Sequence, residues 1–367
     1  MKVLYFTRDY TPHDFRFLNA ICENGDEVYY LRLETRNVYE SRPIPDEVHI
    51  VNWDFGKEPF DMEQSEDAVV DALRNVFDEI HADVIHSGPL TDCSYLTAKA
   101  GLHPHTAMSW GFDLGREIET DAKARERAEY ALSQADWFLG DCYVELDKAV
   151  ELGYSRDRAS IFPWGIDVER FSPMSSELRN KIRNGGDFLI LSLRTMEPNY
   201  DVETVVRSFL TAVREEPGMR LILLGDGRQM PKLREIADDD ENGDKISFLG
   251  RQPNDMLVDY YRSCDLYVSA SIVDGSSVSL LEAMGCGIPV LMSAIPGNLE
   301  WVRHEENGLI FETRNVTELS EKMLYCLRNR GKLSEYAAAA RQLIETKANW
   351  KQNKQIIHMA YRKACGL

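Results

Sequence analysis

The sequence predicts an α/β protein built from two successive parallel sheets, and three observations carry that expectation. Short apolar runs alternate with helical stretches from the first residues onward, which is the pattern of parallel strand–helix units. The same pattern restarts at Phe188 after a linker. A chain of 367 residues with 44% hydrophobic content exceeds one ordinary domain and can bury two cores.

The elements follow in order. KVLYFT is the first strand, and EVYYLRL, VHIVN, DVIHS, HTAMS, WFLG and ASIF are the next six, each short, apolar and bounded by polar residues. Residues 63–80 and 122–134 are helical stretches between them. MSSELRNKIRNGG reads as a linker helix ending at Gly185. Further on, the strand LYVSA at 266–270 leads into a loop and a helix, and Gly285, Gly287 and Pro289 stop that helix and launch the strand PVLM. The final stretch has helical spacing in Trp350, Ile356, Ile357 and Tyr361. There is no internal repeat beyond the doubled architecture and no low-complexity segment.

Composition excludes several functions. Residues 1–170 hold 17 Lys and Arg against 34 Asp and Glu, a net of −17, and the remaining 25 basic and 27 acidic residues leave −2. Such an acidic first half lacks the basic footprint that nucleic acid requires and the polybasic face that docks on anionic lipid. No apolar run approaches the roughly twenty residues that cross a bilayer. Met1-Lys2 passes straight into a strand, so no signal peptide is expected and the reading places the chain in the cytoplasm, with at most peripheral membrane association. The seven cysteines are scattered without a C-x-x-C pair, which suits a reducing compartment and core packing and argues against structural zinc.

The most informative stretch is DGSSVSLLEAMGCGIPV at 274–290, which sets Asp274 in a turn and Glu282 eight positions later on a helix. The loop between strand and helix lies at the carboxyl edge of a parallel sheet. There the free amides of Ser276, Ser277 and Val278, with the helix dipole, favour an anionic group such as phosphate. A carboxylate is acceptor-only and takes both donors of a vicinal diol. A phosphate flanked by two polyols describes a nucleotide-sugar.

Here the sequence resembles the retaining glycosyltransferases of the GT-B fold that include sucrose synthase, bacterial glycogen synthase and sugar transferases of cell-surface polysaccharide assembly. Their hallmark is E-x7-E followed by A-M-A-C-G-x-P-V, and this chain has Asp274, Glu282 and then AMGCGIPV. ASIFPWGIDVERFSP at 159–173 looks like the family's interdomain segment, with Trp164 in place of Asn, and FLILSLRT, LILLGDG, ISFLG and LYVSA look like successive strands of its nucleotide-binding domain. GNLEWVRHEENGLIF at 297–311 resembles a further family segment, with Gly308 opening the last strand.

The resemblance implies two Rossmann-like, doubly wound parallel-sheet domains facing across a cleft: an acceptor-binding domain at 1–170, a nucleotide-sugar-binding domain at 171–348, and a terminal helix at 349–367 that crosses back to the first. It also implies a metal-independent hexosyl transfer with retention, without a cofactor, from a nucleotide-sugar, expected to be a UDP-sugar, to a saccharide or lipid-linked acceptor. Glu282 would hold the ribose, Asp274 the donor hexose near its anomeric carbon, and Arg194 the diphosphate. A surface salt bridge is the plain alternative for Arg194.

Departures from the family pattern are specific. The Lys expected near Arg194 is Asn199 and the following Gly is Tyr200, so one cation is missing, and either Arg228 or Arg251 is expected to replace it unless the helix amides carry more of the load. Gly225 and Gly227 end a strand either near the donor phosphates or as a plain turn, and Gly250 precedes Arg251 where relatives read the base through main-chain groups. In the first domain Trp110-Gly111-Phe112-Asp113 replaces a His-Gly-x-Asp turn, exchanging an imidazole for an aromatic platform, and His13 stands either toward the reacting sugar or at a helix start with a structural bond.

Rival readings fail on named residues. A dinucleotide dehydrogenase needs G-x-G-x-x-G after the first strand, but residues 8–14 contain no glycine, and at the Gly225–Gly227 pair position 230 is Met. A calcium loop over Asp238, Asp240, Asn242 and Gly243 ends in Leu249 where a bidentate Glu is required, so no metal is expected there and the stretch reads as a surface loop. His103 and His105 read as loop residues. A GT-B phosphorylase needs a cofactor lysine for which no motif exists. The remaining alternative is a catalytically degenerate nucleotide-sugar binder that scaffolds a partner glycosyltransferase.

Overall fold

The computed structural model describes residues 1–35, 40–56, 60–183 and 188–367. The chain divides into two compact units, Met1–Pro163 together with Lys351–Leu367, and Trp164–Trp350. The linker helix spans Leu178–Ile182, and Gly185, its expected end, lies outside the described residues.

The first unit is built on β1 (Lys2–Thr7), β2 (Glu27–Arg32), β3 (His49–Ile50), β4 (Val84–Gly88), β5 (His105–Met108), β6 (Trp137–Gly140) and β7 (Ala159–Ile161). They form one parallel sheet in the order β3-β2-β1-β4-β5-β6-β7. Alternation along β1 serves both faces of the sheet. Leu4 and Phe6 enter a core with Leu31, Ile85 and the helix Met62–Ile80, while Tyr5 on the other face meets Phe17, Tyr30 and His86. The helix Gln355–Ala364 closes that second face because Ile357, Ala360 and Tyr361 share one side of it. Its Tyr361 hydroxyl lies 2.7 Å from His86 Nδ1, and His358 lies 2.7 Å from Asp26. His105 is not a loop residue: it begins β5, is fully buried 2.8 Å from Ser87 Oγ, and burial lowers its pKa to about 3. The loop ends one residue earlier than expected, since Asp136 Oδ2 binds both the His105 amide and His103.

The second unit holds β8 (Phe188–Leu193), β9 (Met219–Leu224), β10 (Ile246–Phe248), β11 (Leu266–Ser269), β12 (Val290–Ser293) and β13 (Leu309–Phe311) in the parallel order β10-β9-β8-β11-β12-β13. Phe188 and Ile190 feed one core and Leu189 and Leu191 the other, the two-sided burial that parallel strands require. Asp238 and Asp240 lie where a helix ends, and Asp240 accepts from the Asn242 amide and pairs with Arg214 at the surface. The order reverses between β1 and β4 in the first unit and between β8 and β11 in the second. Ligands of open α/β sheets bind at the carboxyl ends of strands at such reversals.

The second unit is sealed where its chain enters and leaves. The Ile166 amide donates to Ala348 (2.8 Å) and the Trp350 amide to Ile166 (2.9 Å). Between them Gly165 has φ +60°, and a Cβ there would lie 2.2 Å from the Ala348 carbonyl oxygen. Gly165→Ala should therefore cost about 1–3 kcal/mol of stability, a fall of roughly 2–10 °C in melting temperature for a unit of this size. Calorimetry checks it, and an unchanged Tm would mean that this seam is not closely packed.

Candidate functional site

The loop 270–277 leaves β11 and turns into the helix Val278–Gly285, with Ser277 at its N-cap. The residue following the neighbouring strand β8 is Arg194. Adjacent strands at the reversal thus bring Arg194 to the 274–279 segment. Its Nη2 bonds Asp274 Oδ2, and its Nη1 donates to Ser277 Oγ at 2.6 Å and to Ser279 Oγ at 3.0 Å. One face of the guanidinium lies 4.1 Å from the centre of the Tyr200 ring. Nε is buried and has no acceptor among the described residues. Burial opposes the charge on Arg194, but the Asp274 carboxylate and the Tyr200 and Tyr267 phenols outweigh it, so the pKa is raised and the group stays cationic. An unsatisfied buried donor costs about 1–3 kcal/mol.

Glu282 is buried at the same helix, and its Oε2 accepts from the Tyr261 hydroxyl at 2.9 Å. Burial first, and then the Glu282 charge, raises the Tyr261 pKa well above the ordinary phenol value, which keeps it a donor. Tyr267 supports the same helix by donating to Ser279 Oγ at 2.8 Å.

The loop is held from behind. Gly297 allows the turn Pro296–Leu299 to approach, since a Cβ there would lie 2.5 Å from the carbonyl oxygens of Asp274 and Gly275. The Trp301 indole donates to Ser276 Oγ at 3.0 Å, and the Ile272 amide donates to the Asn199 carbonyl at 2.9 Å. Asn199 therefore joins the segment after β8 to the loop after β11 through its backbone.

Gly225 and Gly227 act through close packing. With φ +126°, a Cβ on Gly225 would lie 2.1 Å from Arg194 O, and one on Gly227 would lie 2.5 Å from Met196 O. The Arg194 amide donates to Leu224 O and the Met196 amide to Asp226 O. The two glycines thus set the backbone that carries Arg194. Gly250 accepts from the Gly225 amide at 2.9 Å, and Arg251 beside it is exposed. Arg228 pairs with Glu197 at 2.5 Å on an exposed side chain.

In the first unit, Trp110 lies in the loop after β5, Asp113 opens the helical turn Asp113–Glu117 that follows it, and His13 stands at the start of the helix Pro12–Glu23 after β1. The His13 and Trp110 rings meet edge to face with centroids 5.4 Å apart. Gly88 at the end of β4 makes room for the indole, since a Cβ there would lie 2.7 Å from Trp110 Nε1. Burial and then Arg16 lower the His13 pKa to about 3, so the ring is neutral at ordinary pH. Asp113 is fully buried and accepts from Leu90 N, Ser109 Oγ, Trp110 N and Leu114 N at 2.7–3.1 Å. It organises the loop bearing Trp110. Burial pushes its pKa up to about 6.

Sequence reasoning missed Glu145, which looks like an ordinary helix carboxylate. It is buried, its Oε2 accepts from the Asp141 amide at 3.0 Å, and its Oε1 has no partner among the described residues. Burial, then Asp141 and Asp113, raise its pKa well above the usual carboxylate range. Asp141, Cys142 and Glu145 also bring their ligand atoms within 4.8 Å of one another. Burial and the neighbouring acids thus favour the protonated carboxyl group. Tyr261, Tyr267, Trp301 and Gly297 were likewise missed, because each acts on the hallmark helix or loop from a distant point in the chain. For Tyr200 a signal existed, as it stands where the family pattern has Gly.

Two parallel α/β units with polar loops at the carboxyl ends of their strands make up the GT-B class of fold. The chain is similar over 98% of its length to Anabaena Alr3699/HepE in complex with UDP-glucose (TM-score 0.81, 17% identity, 98% of that chain). It is similar over 99% to sucrose-phosphate synthase from Thermosynechococcus elongatus (TM-score 0.79, 16% identity, 98% of that chain). Residues 174–343, which lie within the second unit, match the family model described as Glycosyl transferases group 1. Among curated relatives, a GDP-mannose-dependent alpha-(1-6)-phosphatidylinositol monomannoside mannosyltransferase of Mycobacterium tuberculosis is 26% identical over 198 residues, 51% of each chain. Mannosylfructose-phosphate synthase of Agrobacterium fabrum is 26% identical over 265 residues, 64% of this chain and 58% of its own. The chain spans about half the length of the curated relatives it matches.

The Glu145 proton yields a pH test. A carboxyl group whose folded pKa lies above its unfolded value of 4.5 stabilises the protein below about that pH, and the stabilisation is lost as pH rises toward the folded pKa. Glu145→Gln stays neutral throughout, so its Tm relative to wild type, compared from pH 5 to pH 9, should rise with pH and level off once the folded pKa is passed. A constant difference across that range would show that Glu145 is ionised in the folded state.

Proposed function

We propose that this chain is a retaining, metal-independent glycosyltransferase that moves a hexosyl group from a nucleotide-sugar to a saccharide or lipid-linked acceptor. One observation supports this reading most: a buried, cationic Arg194 with an unsatisfied Nε beside the helix start at 276–278 and near the helix that carries Glu282. An anion is the natural partner for such a donor, and the helix amides add to it. The donor diphosphate would occupy that place.

The residues then divide the work. Glu282, held by Tyr261, would accept both ribose hydroxyls. Arg194 and the amides of Ser276, Ser277 and Val278 would stabilise charge on the departing diphosphate. Asp274 would stabilise the charge that develops at the anomeric carbon, and no second nucleophile is needed if the acceptor attacks on the face the leaving phosphate vacates. Trp110 and neutral His13 would present an apolar platform to a sugar, with Asp113 holding their loop. Gly225, Gly227 and Asn199 would position Arg194 and the 274 loop. Gly250 with Arg251 would border the base, while Arg228 would reach a phosphate only by leaving Glu197. A UDP-sugar remains the proposed donor. HepE was solved with UDP-glucose, and several relatives are named as GDP-mannose-dependent, so UDP and GDP are the two bases to compare.

The Arg194–Asp274 pair itself favours a second reading. With Asn199 in place of Lys, the one cation bonded in the loop cluster among the described residues is already paired with Asp274, which would suit a nucleotide-sugar binder that scaffolds an active partner. Hydrolysis or transfer from UDP-glucose or GDP-mannose would exclude it, and tight nucleotide binding with no turnover would support it.

Two substitutions separate binding from chemistry. Glu282→Ala should weaken UDP or GDP binding by about 1.5–3 kcal/mol, the range for hydrogen bonds to a charged group. Asp274→Asn, whose side-chain oxygen can still accept from Arg194 Nη2 and so keep the guanidinium in place, should lower kcat at least about tenfold, some 1.4 kcal/mol of barrier, with nucleotide affinity nearly intact by titration calorimetry. Unchanged nucleotide affinity in the first variant, or unchanged turnover in the second, contradicts that residue's role. Activity should also survive excess chelator, and a loss restored by manganese would refute the metal-independent mechanism.

A further inference from the structure

Tyr200 ends the short turn Pro198–Tyr200 that follows β8, and its ring lies face-on against the Arg194 guanidinium, 4.1 Å from centroid to Cζ. The guanidinium is thereby confined on three sides. Its Cζ lies over the Tyr200 ring, Nη1 is held by the Ser277 and Ser279 hydroxyls, and Nη2 by Asp274. Guanidinium N–H bonds form planar forks, and the fork shared by Nε and Nη2 fits a carboxylate or a phosphate with two parallel bonds. Asp274 takes one tine of that fork. The other, Nε, is the buried donor without an acceptor.

The turn that carries Tyr200 is itself anchored, since the Tyr200 amide donates to Glu197 O at 3.0 Å and Asn199 O accepts from Ile272. The turn is therefore tied by its backbone to the 270–277 loop. An aromatic ring attracts a cation electrostatically and, being flat, limits rotation of a planar group laid against it.

We propose that Tyr200 is a positioning residue for anion recognition: it holds the Arg194 guanidinium in one plane, so that Nε is presented to a diphosphate by a single preorganised cation. This rests on the nucleotide-sugar reading given above. In this chain a fixed arginine does what a second, mobile cation would otherwise do, and the ring replaces the freedom of a small residue at that position. Less side-chain ordering then remains to be done when the anion binds.

The test compares wild type with Tyr200→Phe, Tyr200→Leu and Tyr200→Ala by titration calorimetry with UDP and with GDP, after thermal melts establish that each variant is folded. Phe keeps the flat face without the hydroxyl, and Leu keeps most of the volume without the ring. Affinity for whichever nucleotide wild type binds should stay within about twofold in Phe and fall at least about fivefold in Leu and Ala. Leu binding as tightly as Phe would reduce Tyr200 to packing, and Ala binding as wild type would remove it from recognition; either result overturns the proposal. Absence of binding by wild type to both nucleotides is a different outcome, which overturns the nucleotide-sugar reading and this proposal with it.

Discussion

The candidate site depends on one partly buried ion pair, Arg194 with Asp274. Each partner comes from the carboxyl end of one of two adjacent strands, β8 and β11, where the sheet order reverses. A charge removed from water is costly unless paired and hydrogen-bonded. Here Asp274, two serine hydroxyls and an aromatic face meet that cost for Arg194 except at Nε. The surrounding backbone is arranged for this pair. Gly225 and Gly227 allow one loop to press on the carbonyls of Arg194 and Met196, and Gly297 allows another to press on those of Asp274 and Gly275. Both sides are thus set by steric requirements that only glycine meets.

Much of the fold was legible in the sequence because its strands are short, apolar and sharply bounded. FLILSLRT, LILLGDG and LYVSA each appear as a strand of the second sheet, and the resemblance in GCGIPV to the GT-B glycosyltransferases agrees with the family match over 174–343. Parallel strands buried on both faces read as continuous apolar runs, so their pattern survives without knowledge of pairing. Asp274 and Glu282 were legible from their spacing around a helix start, and Arg194 from the family resemblance.

What stayed hidden depends on contacts between distant residues. Nothing near Tyr261 signals that its hydroxyl meets Glu282, and nothing near Trp301 signals Ser276. Glu145 carries the same lesson: a Glu on a short helix reads as solvated, and only packing places it beside Asp141 and Asp113. The GDG turn shows the limit of motif reading. Its glycines suggested a phosphate cradle or a plain turn, and the structure gives them the task of admitting a neighbouring backbone.

The central claim is that Arg194 Nε is the vacant half of an anion-binding fork. A crystal structure with bound UDP or GDP tests it most directly. The account predicts a diphosphate oxygen within hydrogen-bond distance of Arg194 Nε, with the Tyr200 ring still against the guanidinium and Glu282 on the ribose. A diphosphate seated elsewhere, with Nε still without an acceptor, would contradict it.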